Sequence, residues 1–199
     1  MNSFGNKRDH SAINPNDTYE TPPEAVQALL ECEALPKRLW EPCCGPGAIV
    51  KYLRNAGYTV QASDIVDYGC PDSFVGDFLD GSTLPPGAFD GIITNPPFKH
   101  ADAMIRRMLA LTHRVYILQR LLFLEGVGRS DLIDNNLRRV HLFKRRLPMM
   151  HRKDYEGKKS TSQVPYAWYV FDGRIKNVPI TLDRINYKKE EKKGIRNAK

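Results

Sequence analysis

Short β-branched runs alternate along this chain with amphipathic stretches, and the runs empty into corners rich in glycine, proline or carboxylate. That alternation limits the fold more than any other feature. Pro22 to Leu35 reads as an amphipathic helix, with Thr21 as its cap and prolines in its first turn. A strand at Arg38–Cys43, a helix at Ala48–Ala56 and a strand at Thr59–Ile65 follow. The Gly-, Pro- and Asp-rich stretch 66–87 reads as loop around a short strand near Phe74. Next come a strand at Phe89–Thr94, a helix at His100–Leu111 and a strand at Arg114–Leu118. Leu121–Gly126 fits either type, Ser130–Asn135 reads as a short helix, and Arg138–Phe143 and Pro165–Phe171 close the series as strands. Such units predict an α/β fold: a mostly parallel, seven-stranded sheet with helices on both faces and a ligand crevice at the strand carboxyl ends.

The corner after Phe89–Thr94 reads Asn95-Pro96-Pro97-Phe98. Each proline fixes its own φ and biases the preceding residue toward extended geometry, so the corner is preset. Proline cannot donate from its backbone, which leaves carbonyl oxygens to accept from a ligand, and the Asn95 amide oxygen is a second acceptor. Phe98 supplies a flat face for stacking. Two acceptors and a stacking plate suit an amine on an aromatic ring, adenine N6 above all. Its lone pair is delocalised, so the nitrogen is a poor nucleophile. Hydrogen bonds from its two N–H groups to Asn95 and Pro96 draw it toward tetrahedral geometry and strengthen as positive charge develops. An Asx/Pro turn that merely ends a strand is the competing explanation.

Three more corners precede this one. Leu39 to Val50 carries a strand through Glu41-Pro42-Cys43-Cys44-Gly45-Pro46-Gly47 into a helix. Its glycines permit close backbone approach to a ligand, and a helix N-terminus favours negative charge such as a carboxylate. The third glycine of a dinucleotide fingerprint falls at Val50 and is absent, while Glu41 suits an ammonium group better than a pyrophosphate. Asp64 ends the next strand, where doubly wound sheets place an acid on ribose hydroxyls. Asp77-Phe78 sets an acid beside an aromatic. Singly, Asp64 and Asp77 read as caps or turn residues; in this order, capping is the less economical explanation.

Taken together, Glu41-Pro42-x-x-Gly45-x-Gly47, Asp64, Asp77-Phe78 and Asn95-Pro96-Pro97-Phe98 resemble the motif series of S-adenosylmethionine-dependent N6-adenine methyltransferases. The likeness is strongest to the small solitary enzymes of phages and prophages, whose N-terminal motif is similar to Asp17-Thr18-Tyr19-Glu20-Thr21-Pro22, and it covers about residues 17 to 172. The resemblance implies a Rossmann-like class I methyltransferase fold with S-adenosyl-L-methionine as cofactor. It implies that Tyr19, Thr21 and Pro22 border the methionine end of the donor. Glu41 and the Gly45–Gly47 bend, with Cys43, would hold its amino-acid moiety. Asp64, with Ile65, would take the ribose, and Asp77 and Phe78 the donor's adenine. Asn95, Pro96, Pro97 and Phe98 would grip the target base, Asn95 also bordering the donor. Pro46 departs from relatives, which often carry a small polar residue or Asp there.

Composition excludes several other chemistries. The four cysteines, Cys32, Cys43, Cys44 and Cys70, lack the spacing of a zinc site or a disulfide framework. Cys43 and Cys44 read as small buried hydrophobes in a reducing cytosol. A cysteine nucleophile for cytosine C5 methylation belongs where Asn95-Pro96 stands, and the zinc deaminase signature is missing. His100 and His151 have no partners at metal-ligand spacing, so no metal is expected. The first sixteen residues lack a signal peptide's apolar core, and Gln119 and Arg120 interrupt the best apolar stretch, so neither export nor membrane insertion is expected. The expected location is the cytoplasm of a bacterial or phage-infected host cell.

The net charge is +7, and it is concentrated: Lys144–Lys159 carries +5 and Lys188–Lys199 carries +4, leaving −2 elsewhere. That distribution suits a phosphate-bearing partner. DNA is the expected partner, with Lys99, Arg145, Arg146, His151, Arg152 and Lys153 as its contacts and RNA as the alternative. The tail also reads as a solvated disordered extension. The organisation expected is a disordered segment 1–16, a methyltransferase domain 17–186 with a basic excursion at 144–163, and a disordered basic tail 187–199. No length remains for a separate target-recognition domain, and a monomer or weak dimer is expected. Ala167–Phe171 reads as core, with Tyr166 or Trp168 as alternative walls of a base pocket, and Phe123 reads as buried. A glutamine side chain is a further alternative acceptor, though glutamine-modifying relatives favour Tyr at the Phe98 position. A non-catalytic nucleic-acid-binding module ranks last, because Glu41, both glycines, Asp64 and Asp77 are intact.

Overall fold

One eight-stranded sheet organises the chain, in the order β3–β2–β1–β4–β5–β7–β6–β8. The computed structural model describes residues 20–81, 83–148, 164–176 and 178–187. Its strands are β1 (Arg38–Glu41), β2 (Thr59–Asp64), β3 (Ser73–Val75), β4 (Gly91–Thr94), β5 (Arg114–Arg120), β6 (Leu137–Phe143), β7 (Tyr166–Asp172) and β8 (Thr181–Ile185). The helices are α1 (Pro23–Leu30), α2 (Ala48–Asn55), α3 (Ala101–Leu111) and α4 (Ser130–Asn136). From β3 through β5 all pairs are parallel. β7 runs antiparallel to both β5 and β6, and β8 lies parallel to β6.

The chain moves outward from β1 to β2 and β3, then crosses back to lay β4 against the other side of β1. Strand order therefore reverses between β1 and β4, and crevices form at such switch points. Leu39 pairs with Gly91 and Trp40 with Ile92. The corners after Glu41 and after Thr94 consequently leave neighbouring strands side by side. Gly91 makes this closeness possible: a Cβ there would meet Pro36 Cγ at 2.8 Å and the Arg114 carbonyl at 3.1 Å.

Period-two alternation divides the buried side chains between two faces. Ile93, Leu118 and Trp168 join Ala25 and Leu29 of α1 and Ile49 and Leu53 of α2. Ile92, Ile117 and Tyr169 pack with Ile105 and Met108 of α3 and Leu132 of α4. Trp168 Nε1 donates to the Ala25 carbonyl at 2.8 Å, fastening β7 to α1. Burial of these side chains, each worth about 1.5–3 kcal/mol when complete, makes both faces of the sheet core.

The sheet departs from the seven strands expected. Thr181-Leu182-Asp183-Arg184-Ile185 forms an eighth, and only Ile185 of these is buried. An edge strand with so little apolar burial carries no run to read. β5 also extends past Leu118 to Arg120, because its pairing with β7 continues to Arg120 opposite Tyr166. α1 ends at Leu30 rather than Leu35, and its cap is Pro22, not Thr21. Leu121–Leu124 is a 3-10 turn. The segments 1–16 and 188–199, and residues 149–163 of the basic excursion, lie outside the described residues.

Candidate active site

A cavity of about 350 Å³ opens at the carboxyl ends of β1, β2 and β4, within the range of small-molecule sites. Gly45, Asp64, Asp77, Asn95 and Pro97, from four separate corners, share its wall. Gly45 and Gly47 both adopt positive φ, at 50° and 90°, which lets the chain double back into α2. Gly47 does not line the cavity; a Cβ on it would sit 2.7 Å from Cys70 Sγ, so its smallness lets the bend pack on Cys70.

The wall formed by the corners after β1, β2 and β3 is acidic. Glu41 is 2 % exposed, and its Oε2 has no hydrogen-bond partner among the described residues. Burial, reinforced by the charge of Asp64, raises its carboxyl well above the ordinary carboxylate range; the Val50 N–H and Arg54 pull weakly the other way. Asp64 accepts from the Gly45 N–H at 2.7 Å and the Ile65 N–H at 2.8 Å. Burial still raises its carboxyl above the usual value despite those bonds. Asp77 accepts from the Leu79 N–H at 2.8 Å, and Glu20 adds a fourth acid to the lining. A desolvated acid without a cation, beside further acids, fits a ligand carrying positive charge.

Thr21, Cys43 and Ile65 line the same cavity, whereas Pro22 is buried as the cap of α1 and does not. Phe78 lines it too but is 3 % exposed, packed on Trp40 with ring centroids 5.2 Å apart. Burial pushes the Cys43 and Cys44 thiols up, away from a reactive thiolate. Tyr19, His151, Arg152 and Lys153 lie outside the described residues.

At the opposite wall, formed by the corner after β4, Asn95 and Pro97 face the cavity, with exposed Lys99 and His100 beyond them. Pro96 is buried and does not line it. Of the two proline carbonyls, that of Pro97 accepts from the His100 N–H at 3.0 Å, so it serves the turn into α3 and not a ligand. Phe98 is half-buried and does not line the cavity. Its ring lies against Tyr166, centroids 6.2 Å apart, and the Arg120 guanidinium carbon sits 3.5 Å from its centroid. Trp168 is core and Phe123 is buried. Arg145 and Arg146 are exposed and do not line the cavity.

Sequence reasoning missed Glu20, Tyr68, His100 and Met104 as wall residues. Tyr68 lies in irregular chain, where no periodicity marks a side chain as inward. His100 directly follows the corner, and its position there was a usable signal. Among the described residues no group of His, Cys, Asp or Glu is placed to hold a metal ion, and no helix is long and apolar enough to cross a membrane.

Neither a protein-family profile nor a curated protein sequence matches this chain. Solved structures do. One from Pyrococcus horikoshii, assigned as an RNA methyltransferase, aligns with a TM-score of 0.57 at 16% identity, over 80% of this chain and 89% of that one. The modification subunit of an assigned type I restriction enzyme from Vibrio vulnificus YJ016 aligns at 0.51, with 13% identity over 84% of this chain and 47% of that one. The Pyrococcus abyssi tRNA (uracil-54, C5)-methyltransferase, in complex with S-adenosyl-L-homocysteine, aligns at 0.50, with 13% identity over 73% of this chain and 36% of that one. At these identities the likeness is one of fold, and the chain has a methyltransferase-like α/β fold.

Proposed function

We propose that this protein is an S-adenosylmethionine-dependent methyltransferase acting on the N6 amine of adenine in DNA. The observation that carries this reading is the meeting of two unlike corners in one cavity: an acidic glycine bend after β1, and Asn95 and Pro97 after β4. The unpartnered Glu41 Oε2 and the acids beside it fit a donor bearing an ammonium and a sulfonium. Glu41 and Gly45 would hold its amino-acid end, Asp64 its ribose, and Asp77 with Phe78 its adenine. When bound, that cofactor supplies an electrophilic methyl group.

The chain's own residues act on the acceptor. Asn95 Oδ1 accepts a hydrogen bond from one N6 hydrogen, and the Pro96 carbonyl, set behind the cavity wall, is assigned the other on the resemblance of the motif alone. Both bonds strengthen as the nitrogen becomes positive, which lowers the barrier selectively. Prolines at 96 and 97 hold the acceptors in place before substrate arrives, so little ordering remains to be done. A duplex substrate must present its adenine out of the stack, at a cost of a few kcal/mol. The corner's fit to an aromatic amine and the concentrated basic charge of the chain support adenine in a nucleic acid. DNA is the first reading because the motif series resembles that of DNA adenine methyltransferases, and RNA adenine is the second, with an RNA methyltransferase among the fold neighbours.

The test is to offer a methyl-tritiated donor with DNA, RNA and protein pools and identify the labelled product by nucleoside analysis. Label in N6-methyladenine from DNA is expected. Label only in RNA would move the assignment to the second reading, and label in protein alone would overturn both.

A further inference from the structure

Two arginines among the described residues, Arg107 and Arg120, lie over a phenylalanine ring with a buried Nε that has no hydrogen-bond partner; Arg107 is 5.3 Å from the Phe78 centroid, and Arg120 is much the closer to its ring. Arg38 is paired with Asp90, Arg106 with Asp102 and Asp131, and Arg139 with Glu33. Arg129 also lies over a phenylalanine ring, that of Phe123 at 4.8 Å, yet it donates to the Phe123 and Glu125 carbonyls at 3.0 and 2.7 Å. The Arg120 guanidinium has the ring of Phe98 at 3.5 Å, while its buried Nε has no hydrogen-bond partner and its head joins no ion pair among the described residues. A planar cation with unused donors thus lies at stacking distance on the ring that the sequence motif offers to the base. The position of Phe98 agrees: Asn95, Pro97, Lys99 and His100 all line the cavity, and Phe98 between them does not.

The backbone beneath is held. The Arg120 carbonyl accepts from the Tyr169 hydroxyl at 3.0 Å, and the next N–H, that of Leu121, donates to the Pro165 carbonyl at 2.9 Å. Freedom to move therefore belongs to the side chain.

Resting on the adenine reading above, we propose that Arg120 covers the stacking face of Phe98 until a nucleotide arrives, and that the incoming base displaces its guanidinium onto a phosphate flanking that base. The exchange is chemically balanced. A guanidinium and a base stack on the same aromatic face with comparable strength. What tips it is the bidentate, charge-assisted bond from guanidinium to phosphate, which uses the donors idle in the free protein. A nucleoside without phosphates has to displace the same cation and returns nothing. The device accordingly selects a base carried on a phosphodiester backbone.

Binding is measured with the full chain saturated with S-adenosylhomocysteine, using two probes: a single-stranded adenine-containing oligodeoxynucleotide and adenosine. For Arg120→Ala the two probes move in opposite directions. Oligonucleotide affinity falls about tenfold or more, and adenosine affinity rises severalfold. Arg120→Lys restores part of the oligonucleotide affinity through its charge but, lacking the planar head, leaves adenosine binding enhanced. A third arm needs no variant: methylphosphonate at the phosphates flanking the adenine lowers the wild-type affinity toward that of Arg120→Ala. If both probes weaken together, or neither changes, or the neutral phosphates cost the wild type nothing, the exchange is wrong. S-adenosylhomocysteine affinity, expected unchanged, reports folding of the variants. If the wild type places no methyl group on DNA adenine, the proposed function fails; if it does and the opposed responses are absent, this inference alone fails.

Discussion

The corners after β1 and β4 leave adjacent strands and face one cavity, yet they are built on opposite electrostatic plans. The β1 corner buries Glu41 with an orphaned oxygen and gathers Asp64 and Asp77 around glycines. The β4 corner is made of prolines and an amide, with Lys99 and His100 beyond and the Arg120 cation on Phe98. A cavity negative at one end and positive at the other does not suit one uniformly charged ligand. It suits two, a cationic donor and a polyanionic acceptor, each drawn to its own side.

The strongest way to break that comparison is at Asn95. If the β4 corner serves the transition state alone, Asn95→Ala loses about 10²–10³-fold in kcat, as removal of a preorganised polar group does elsewhere, while donor affinity stays put. Single-turnover rates and a donor binding isotherm read the two separately; equal loss in both would merge the corners into one binding site. Asp64→Ala is the converse. Loss of a charged acceptor for ribose should weaken donor binding by about 10–100-fold with a smaller effect on the chemical step. Calorimetric titration measures it, and an unaltered isotherm would remove Asp64 from the donor site.

Protons sharpen the contrast further. Burial, with the charge of Asp64, raises the Glu41 carboxyl well above the ordinary carboxylate range. A cationic donor stabilises the carboxylate, so binding lowers that pKa and releases a proton. Donor affinity should then rise with pH, by at most about tenfold per unit, between the donor-bound and donor-free pKa of Glu41, and level off above the latter. The same raised pKa makes the empty protein lose stability as pH climbs from the unfolded carboxyl value toward the folded one. Titrations in buffers of different ionisation enthalpy count the proton, and Glu41→Gln should abolish the release. The smallest effect belongs to Lys99. It is exposed, so Lys99→Ala should weaken DNA binding severalfold and reduce the salt slope by about one, leaving donor binding untouched.

Most of the sheet from β1 through β5 was legible from its residues, and the reason is physical. Strands buried on both faces must be apolar, so Leu39–Trp40 and Ile92–Ile93 stand out from the polar corners that follow them. The region beyond β5 was harder. β8 lies at an edge with Leu182 half exposed and only Ile185 buried, and its pairing with β6 depends on the backbone. Tyr68 reaches the cavity from irregular chain. The relation of Arg120 to Phe98 spans two strands and depends on how far β5 continues, a distance set by its pairing with Tyr166 and not by any local pattern. Spacing brought Asn95 and Phe98 into one corner. It could not say that one of them would already be covered.

The Tyr169 hydroxyl reaches both the Arg120 and the Leu121 carbonyls, at 3.0 and 3.3 Å, from the opposite strand. A post anchored this way lets its arm swing without unfastening any loop. Exposed side chains rotate in picoseconds to nanoseconds and lids or hinges move in microseconds to milliseconds, so a half-buried, stacked arm falls between the two. If the proposed exchange operates, base admission needs only a side-chain rotation and no loop opening.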